Sequence, residues 1–141
     1  MSTCFISLES NKIFNQLILR ELTDKGYEGL SLALIVIFPY IESDKNISIT
    51  ALSKKLGYTR QAMHKNIKKL EEAGYITLAS EKKNQKEKII RFTELGKALM
   101  DDSEKIIRRI EAEMVAIIGK EAFELYQIYQ QKIHNYLSGE L

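Results

Sequence analysis

The chain has 141 residues, of which 45% are hydrophobic and 28% are charged. This length and composition are typical of one folded domain and exclude an intrinsically disordered chain. The net charge is only +2, but residues 48–97 carry +7, so the remaining residues sum to −5. A basic centre between acidic ends predicts a local surface that binds a polyanion.

Membrane insertion, secretion and an intrachain disulfide are all disfavoured. The longest apolar run, residues 30–38 with only Ser31 interrupting, is much shorter than the roughly 20 residues that cross a bilayer. Residues 1–12 include Glu9 and lack the basic start and apolar centre of a signal peptide. The single cysteine, Cys4, fits a reducing compartment. We therefore expect a cytoplasmic protein.

Two helices are predicted in the first third of the chain. The first covers about residues 8–25, where apolar side chains recur at spacings of three and four: Ile13, Phe14, Leu17, Ile18 and Leu22. Two glycines then mark a break, after which Ser31 is expected to cap a second helix that holds residues 34–41. Pro39 lacks a backbone donor, which predicts a kink or an early end of this helix.

Two short helices joined by a tight turn follow. The first covers residues 48–56 and is stopped by Gly57, and the second covers residues 60–73 and is stopped by Gly74. Thr59 precedes the second helix and can accept hydrogen bonds from its first backbone N–H groups. The pattern is typical of a helix-turn-helix.

A charged hairpin is predicted next. Apolar-biased segments at residues 75–79 and 89–92 are separated by the polar residues 80–88, which indicates two paired strands. A helix-turn-helix followed by such a β-wing presents a short basic helix in a shape that fits the DNA major groove.

The second helix of this pair divides into two faces. Its buried face is predicted to hold Ala62, Met63, Ile67 and Leu70, and its outer face Arg60, Gln61, His64, Lys65 and Lys68. Arg60 and Gln61 lie near the helix start, where they could reach base edges, whereas the lysines suit phosphates. A charged outer face is also ordinary for any surface helix.

The wing supplies a second basic element. Four lysines lie within seven residues at the hairpin tip, where they could follow the adjacent minor groove. Two basic elements on one face favour DNA binding over a merely solvated helix. The predicted DNA-binding residues are Thr59, Arg60, Gln61, His64, Lys65, Lys68, Lys69, Lys82, Lys83, Lys86 and Lys88.

Two long amphipathic helices are predicted at the end of the chain, over residues 94–118 and 121–137. Their apolar stripes exceed what a winged helix can cover, so we expect a homodimer. Packing of the first and last helices within one monomer is the alternative. Three tyrosines of the last helix fit either interface packing, which we favour, or an aromatic-ligand pocket: Tyr126, Tyr129 and Tyr136.

Several short motifs occur in a characteristic order. They are Leu30-Ser31, Ile47-Ser48, Leu52 with Leu56-Gly57, Leu70-Glu71 with Ala73-Gly74-Tyr75-Ile76, and Phe92-Thr93-Glu94-Leu95-Gly96. With these motifs the chain resembles the MarR family of bacterial transcription regulators, which are dimeric winged helix proteins. The flanking helices match the family's dimerisation helices in length and order, so the resemblance extends over nearly the whole chain.

The resemblance implies a mostly α-helical (α+β) protein with a small β-wing. Residues 30–96 would form the winged helix-turn-helix DNA-binding lobe, and residues 1–29 and 97–141 the dimerisation helices, within one compact domain overall. It further implies a homodimeric repressor on a pseudo-palindromic operator in double-stranded DNA, with a small aromatic or lipophilic effector.

One departure from the family lies in the wing, where the family's Asp-x-Arg is replaced by Asn84-Gln85-Lys86. Lys86 lacks a planar guanidinium, so we expect a weaker or more shape-tolerant wing contact.

Other kinds of site are disfavoured. The two histidines, His64 and His134, lie on separate helices without a Cys/His cluster, so no metal or cofactor is predicted. No nucleophile–base pair or glycine-rich phosphate loop is evident, so we do not expect an enzyme. Cys4 has no basic neighbour before Lys12, and we interpret it as an inert thiol rather than a redox sensor.

The alternative to DNA binding is a winged helix module whose basic face binds an acidic protein partner.

Overall fold

The structure, a computed structural model, describes residues 1–81 and 84–141, and the side chains of residues 81–87 lie outside its description. The first helix, α1 (Thr3–Asp24), starts five residues before the predicted position. Ser2 allows this early start, because its hydroxyl accepts a hydrogen bond from the Phe5 N–H at 3.1 Å. The apolar stripe is fully buried only in the second half of the helix, since Ile18 and Leu22 are buried while Ile13 is 52% exposed.

The predicted second helix is divided into two short helices, α2 (Leu32–Ile35) and α3 (Phe38–Ser43). Ser31 caps α2 as expected, by accepting a hydrogen bond from the Leu34 N–H at 3.3 Å. The break lies before Pro39 rather than at it. Proline is tolerated in the first turn of a helix, where its missing N–H has no intrahelical partner to lose, so Pro39 lies in the first turn of α3 and does not end α2.

The helix-turn-helix follows the prediction closely. It consists of α4 (Ile49–Leu56) and α5 (Arg60–Glu72), whose bounds agree with the predicted ones to within one residue at each end. Both helices begin after a hydroxyl-bearing residue and end near a glycine, which are the signals that the sequence carried.

The wing is an antiparallel pair of strands, β1 (Ile76–Glu81) and β2 (Asn84–Phe92). Ile76 lies opposite Phe92, and the register shifts after Ser80. Both strands extend further into the polar segment than predicted. The ladder is formed by backbone N–H and C=O groups, which polar residues supply as well as apolar ones.

The last two helices are α6 (Glu94–Ile118), with the predicted bounds, and α7 (Lys120–Gly139), slightly longer than predicted. Gly119 separates them with a φ of +91°, a conformation that side chains disfavour. Within residues 1–81 and 84–141, no helix is both long enough and apolar enough to cross a membrane.

The chain forms two compact units, residues 1–103 and residues 104–141. The first unit contains α1 to α5, the wing and the start of α6. The second contains the rest of α6 and α7. The predicted division into a DNA-binding lobe and dimerisation helices stays a prediction.

The core of the first unit is centred on Phe38. Its ring lies edge-on to that of Tyr75, with centroids 5.9 Å apart, and stacks on that of Phe92 at 6.0 Å. Tyr75 is buried, and its hydroxyl donates a hydrogen bond to the carbonyl oxygen of Glu28 at 2.5 Å. The base of the wing is thereby fixed to α3 and to the loop before α2.

A close approach of α6 to the wing base requires Gly96. A Cβ at this position would collide with the carbonyl oxygen of Tyr75 and lie 3.1 Å from the Phe92 ring. The hydroxyl of Thr93 accepts a hydrogen bond from the Gly96 N–H at 3.1 Å and donates one to the carbonyl oxygen of Gly74 at 2.5 Å. The start of α6 is therefore held directly against the end of α5.

A second contact between distant segments joins Tyr27 to α6. The Tyr27 hydroxyl donates a hydrogen bond to the Asp102 carboxylate at 2.7 Å. Burial raises the pKa of Tyr27 to about 12, and the hydrogen bond and negative charge of Asp102 act in the same direction. The neutral phenol is thus the form that the fold stabilises.

This raised pKa predicts a loss of stability at high pH. Below pH 10 the stabilisation that the neutral Tyr27 phenol contributes is fully present. Above pH 10 the tyrosine of the unfolded chain ionises, while Tyr27 in the folded protein keeps its proton until about pH 12. The free energy of unfolding should therefore fall between pH 10 and 12, and Tyr27→Phe should reduce that fall. Urea unfolding at pH 9 and pH 11 measures it. Tyr136→Phe, at an exposed position, should behave as wild type; an unchanged fall in Tyr27→Phe would contradict the assignment.

Candidate nucleic-acid interface

The turn between α4 and α5 sets the direction of α5. Gly57 ends α4 in the left-handed conformation with a φ of +71°, and the Tyr58 N–H donates a hydrogen bond to the Ser53 carbonyl oxygen at 2.9 Å. Two residues later the Thr59 hydroxyl accepts a hydrogen bond from the Ala62 N–H at 3.1 Å. This cap fixes the point at which α5 starts.

The buried side of α5 determines its rotation. Met63, Ile67 and Leu70 are at most 1% exposed, whereas Ala62 is only half-buried. Because these three residues follow helical spacing, the opposite side of the helix must face outward. The six residues of α5 predicted to reach DNA are all exposed: Arg60, Gln61, His64, Lys65, Lys68 and Lys69. They extend from the first residue of α5 to its last turn, about 14 Å along the axis.

A cleft of about 320 Å³ lies where α4, α5 and the wing meet, and we call it the α4–α5 cleft. Three of the predicted DNA-binding residues line it together: Arg60, His64 and Lys88. The other lining residues are Ser48, Ile49, Thr50 and Leu78. No acidic side chain occurs among these seven. The cleft therefore offers positive charge and hydroxyl groups to an anion.

Two hydroxyl residues in this cleft were not predicted as site residues. Ser48 caps α4, since its hydroxyl accepts a hydrogen bond from the Ala51 N–H at 3.0 Å, and Thr50 follows in the first turn. The start of α4 thus lies beside the start of α5, and backbone N–H groups at a helix start attract anions. The sequence signal was the capping position of Ser48, but its proximity to Arg60 depends on the packing of the two helices.

The wing residues are only partly described. Lys88 is exposed on β2, opposite Ser80 of β1. Lys82 and Lys83, predicted to bind DNA, lie outside the described residues, and so does the side chain of Lys86. Arg91 is exposed further along β2, but its Nη1 donates a hydrogen bond to the carbonyl oxygen of Lys45 at 2.5 Å.

The comparison with protein families identifies the same region. Residues 39–77 match a family described as winged helix-turn-helix DNA-binding. These residues include α4, α5 and the start of β1. No curated protein matches the chain.

Solved structures resemble the chain over almost its full length. Apo MarR from E. coli has a TM-score of 0.75 at 13% identity, covering 94% of this chain and 97% of MarR. Streptococcus pneumoniae FabT in complex with DNA has a TM-score of 0.74 at 15% identity, covering 99% of this chain and 100% of FabT. The transcriptional regulator Tm0710 from Thermotoga maritima has a TM-score of 0.65 at 18% identity, covering 96% of this chain and 93% of Tm0710.

These likenesses confirm two predictions made from the sequence, the winged helix-turn-helix fold and the resemblance to the MarR family. At such low identity the solved structures establish the fold, and the family match adds the DNA-binding domain. Together they support a winged helix-turn-helix domain of the DNA-binding kind.

The cap of α5 leads to a prediction about stability. Thr59→Ala removes the acceptor for the Ala62 N–H, so the free energy of unfolding should fall by about 1 kcal/mol. Thr59→Ser keeps an acceptor and should restore most of this loss. Urea unfolding followed by circular dichroism measures both variants. Equal stability of the alanine and serine variants would mean that the Thr59 hydroxyl does not cap the helix.

Proposed function

We propose that this chain, which has the winged helix fold of the MarR family, is a dimeric, sequence-specific DNA-binding regulator that acts as a repressor. The observation that carries the proposal is the exposed basic side of α5, which continues through the α4–α5 cleft to Lys88 on the wing. A helix of this kind fits the major groove, and lysines beside it fit the phosphates.

Within this interface the residues would have different roles. Gln61, at the exposed start of α5, suits an adenine edge, and Arg60 suits a guanine edge or the phosphate beside it, because it also lines the α4–α5 cleft. Lys65, Lys68 and Lys69 would bind phosphates and contribute affinity without sequence information.

Dimerisation is part of the proposal because it is needed to read two half-sites. The described structure leaves many large apolar side chains exposed in one copy of the chain. On α1 these are Phe5, Ile6, Leu8 and Ile13, and on α7 they are Leu125, Tyr126, Ile128, Tyr129, Ile133, Tyr136 and Leu137. Phe123 is the one buried residue of α7. Exposed apolar surface on this scale is typical of an interface, and a second copy of the chain supplies a complementary one.

A two-fold dimer would place its two α5 helices about one helical turn of DNA apart, roughly 34 Å, on a pseudo-palindromic operator. A dimer bound there would block a promoter, which is the basis for proposing repression. An effector that changes the separation of the two helices would lower DNA affinity by shifting populations between conformations.

The DNA-binding role is tested with a duplex selected by the protein from a random pool. Affinity for it should fall steeply with salt, and Lys68→Gln should reduce the slope of log K against log [salt] by about one unit. Arg60→Ala should weaken binding to the selected duplex by about 1–3 kcal/mol. Fluorescence anisotropy at several salt concentrations measures both effects.

The matched control is Lys105→Gln, at an exposed position of α6 outside the proposed interface, which should leave the slope unchanged. If the protein selects no duplex and instead binds an acidic protein through the same lysines, the winged helix is a protein-interaction module. Equal effects of Lys68→Gln and Lys105→Gln would reject α5 as the DNA-contacting element.

The dimer is tested by analytical ultracentrifugation at micromolar concentration. We expect a species of twice the 16.3 kDa chain mass. The double substitution Tyr129→Glu with Ile133→Glu places two charges on exposed apolar positions of α7, so the dimer dissociation constant should rise at least about thirtyfold. Gln131→Glu on the same helix should have little effect. A wild-type sample that contains only the 16.3 kDa species would reject the dimer.

A further inference from the structure

Arg91 joins the wing to the segment that leads into α4. Its Nη1 donates one hydrogen bond to the carbonyl oxygen of Lys45 at 2.5 Å and another to that of Ile90, in its own strand, at 3.3 Å. Among the residues whose side chains are described, no other hydrogen bond connects β2 with residues 44–48. One long side chain thus bridges two segments of the first compact unit that are 46 residues apart in the chain.

Both ends of this bridge lie close in sequence to residues that line the α4–α5 cleft. Lys88, on the wing side, comes three residues before Arg91 on β2, which is about 10 Å along the strand. Ser48, on the α4 side, comes three residues after Lys45. The bridge therefore restrains the wing side of the cleft relative to its α4 side.

The wing needs such a restraint because it has only two strands in the described structure. An isolated two-stranded hairpin is marginally stable, so its own ladder constrains its direction weakly. The base of the hairpin is held in the core, where the Phe92 ring stacks on that of Phe38. Lys88 lies four residues away from this contact, opposite Ser80, where the regular register ends. The bridge from Arg91 is a second attachment of β2, made to a different segment, and it restricts bending of the wing about its base.

The loop that carries the acceptor has a defined conformation. The Asp44 carboxylate accepts a hydrogen bond from the Asn46 N–H at 3.0 Å, and the Asp44 carbonyl oxygen accepts one from the Ile47 N–H at 3.1 Å. Ile47 is buried, so the loop enters the core directly after this turn. The Lys45 carbonyl oxygen lies within the turn, where it accepts the bond from Arg91. Asp44 therefore shapes the acceptor side of the bridge.

We propose that Arg91 is a positioning residue for DNA binding, which holds the wing in the orientation at which Lys88 and the start of α5 engage the same duplex. This inference rests on the proposed function and adds to it a residue outside the predicted interface. An arginine suits the role, because its charge strengthens hydrogen bonds to carbonyl oxygens and its guanidinium is planar and preorganised. The bond is exposed to solvent, so it contributes little to the stability of the fold and acts on the orientation of the wing.

A double-mutant cycle on the full-length protein tests this role, with the duplex selected from a random pool and fluorescence anisotropy as the readout. Arg91→Gln should weaken binding by about fivefold or more. Lys88→Gln should weaken binding in the wild-type background but have a much smaller effect in the Arg91→Gln background, because the displaced wing no longer brings Lys88 to the duplex. Lys68→Gln, on α5, should weaken binding by the same factor in both backgrounds.

The cycle separates positioning from a direct phosphate contact by Arg91. With a direct contact, Arg91→Gln and Lys88→Gln would act independently, so an equal effect of Lys88→Gln in the two backgrounds would overturn the proposal. A general loss of structure would instead lower the urea midpoint of Arg91→Gln, which should stay close to that of wild type. If Arg91→Gln fails to fold, substitutions of Asp44 decide the matter.

Asp44 supplies an independent test, because charge and positioning predict opposite effects there. Asp44→Ala removes a negative charge, which by charge alone should strengthen DNA binding. It also removes the acceptor that shapes the turn, so the proposal predicts binding weaker than wild type by about threefold. Asp44→Asn removes the same charge but keeps an oxygen that can accept the Asn46 N–H, and it should bind at least as tightly as wild type. Equal affinities of the alanine and asparagine variants would contradict the proposal.

Hydrogen exchange in the free protein tests the bridge without DNA. The amides of β1 and β2 should exchange faster in Arg91→Gln and Asp44→Ala than in wild type, and at the wild-type rate in Asp44→Asn. Arg20→Gln, at an exposed position of α1, is the matched control and should also exchange at the wild-type rate. A protein that selects a duplex but shows unchanged exchange in Arg91→Gln would lose this inference alone. A protein that selects no duplex would reject the proposed function, and with it the DNA role of Arg91, whatever the exchange rates.

Discussion

The burial of one side of α5 is the constraint on which the rest of the structure depends. Met63, Ile67 and Leu70 are almost completely buried, and each contributes about 1.5–3 kcal/mol relative to an exposed side chain. A helix cannot rotate about its axis while three side chains at helical spacing stay in the core. Arg60 and Lys65 are therefore exposed to solvent, and the basic side of α5 is presented by the packing of its opposite side.

The wing depends on the same core. Tyr75 precedes β1 and Phe92 ends β2, so both lie at the base of the hairpin. Both pack on Phe38, so the strands leave the core in a fixed direction. Lys88 lines the α4–α5 cleft, and Arg91, further along β2, donates a hydrogen bond to the carbonyl oxygen of Lys45. One strand thus carries a proposed DNA contact and a hydrogen bond to the loop that leads into α4.

Charge and apolar surface are distributed in a complementary way along the chain. The basic charge is concentrated in residues 48–97, whereas the remaining segments are acidic overall and leave many apolar side chains exposed on α1 and α7. An acidic surface is repelled by DNA, whereas an exposed apolar surface is stabilised when a partner buries it. The proposed DNA-binding surface and the proposed dimer interface therefore consist of different residues. Substitutions can test each of them separately, although reading two half-sites requires both.

Much of the fold could be predicted from local signals. Ser48, Gly57 and Thr59 set the bounds of α4 and α5. The helical spacing of apolar residues over positions 94–118 predicted both ends of α6. The predictions were less accurate where local signals were weak or ambiguous. The division between α2 and α3 lies before Pro39, and polar residues extend the wing strands, because backbone geometry rather than side-chain polarity decides both.

The candidate interface shows the same limit. Periodicity predicted which residues of α5 would be exposed, since a helix repeats every 3.6 residues whatever surrounds it. It could not predict that Arg60, His64 and Lys88 share a cleft with Ser48, or that Ile41, Arg91 and Lys97 line one pocket. The helices, their caps and the basic side of α5 follow from the sequence alone, because they depend on neighbours within one turn. Which distant residues meet becomes known only from the fold, because it depends on how the helices and the wing pack around Phe38.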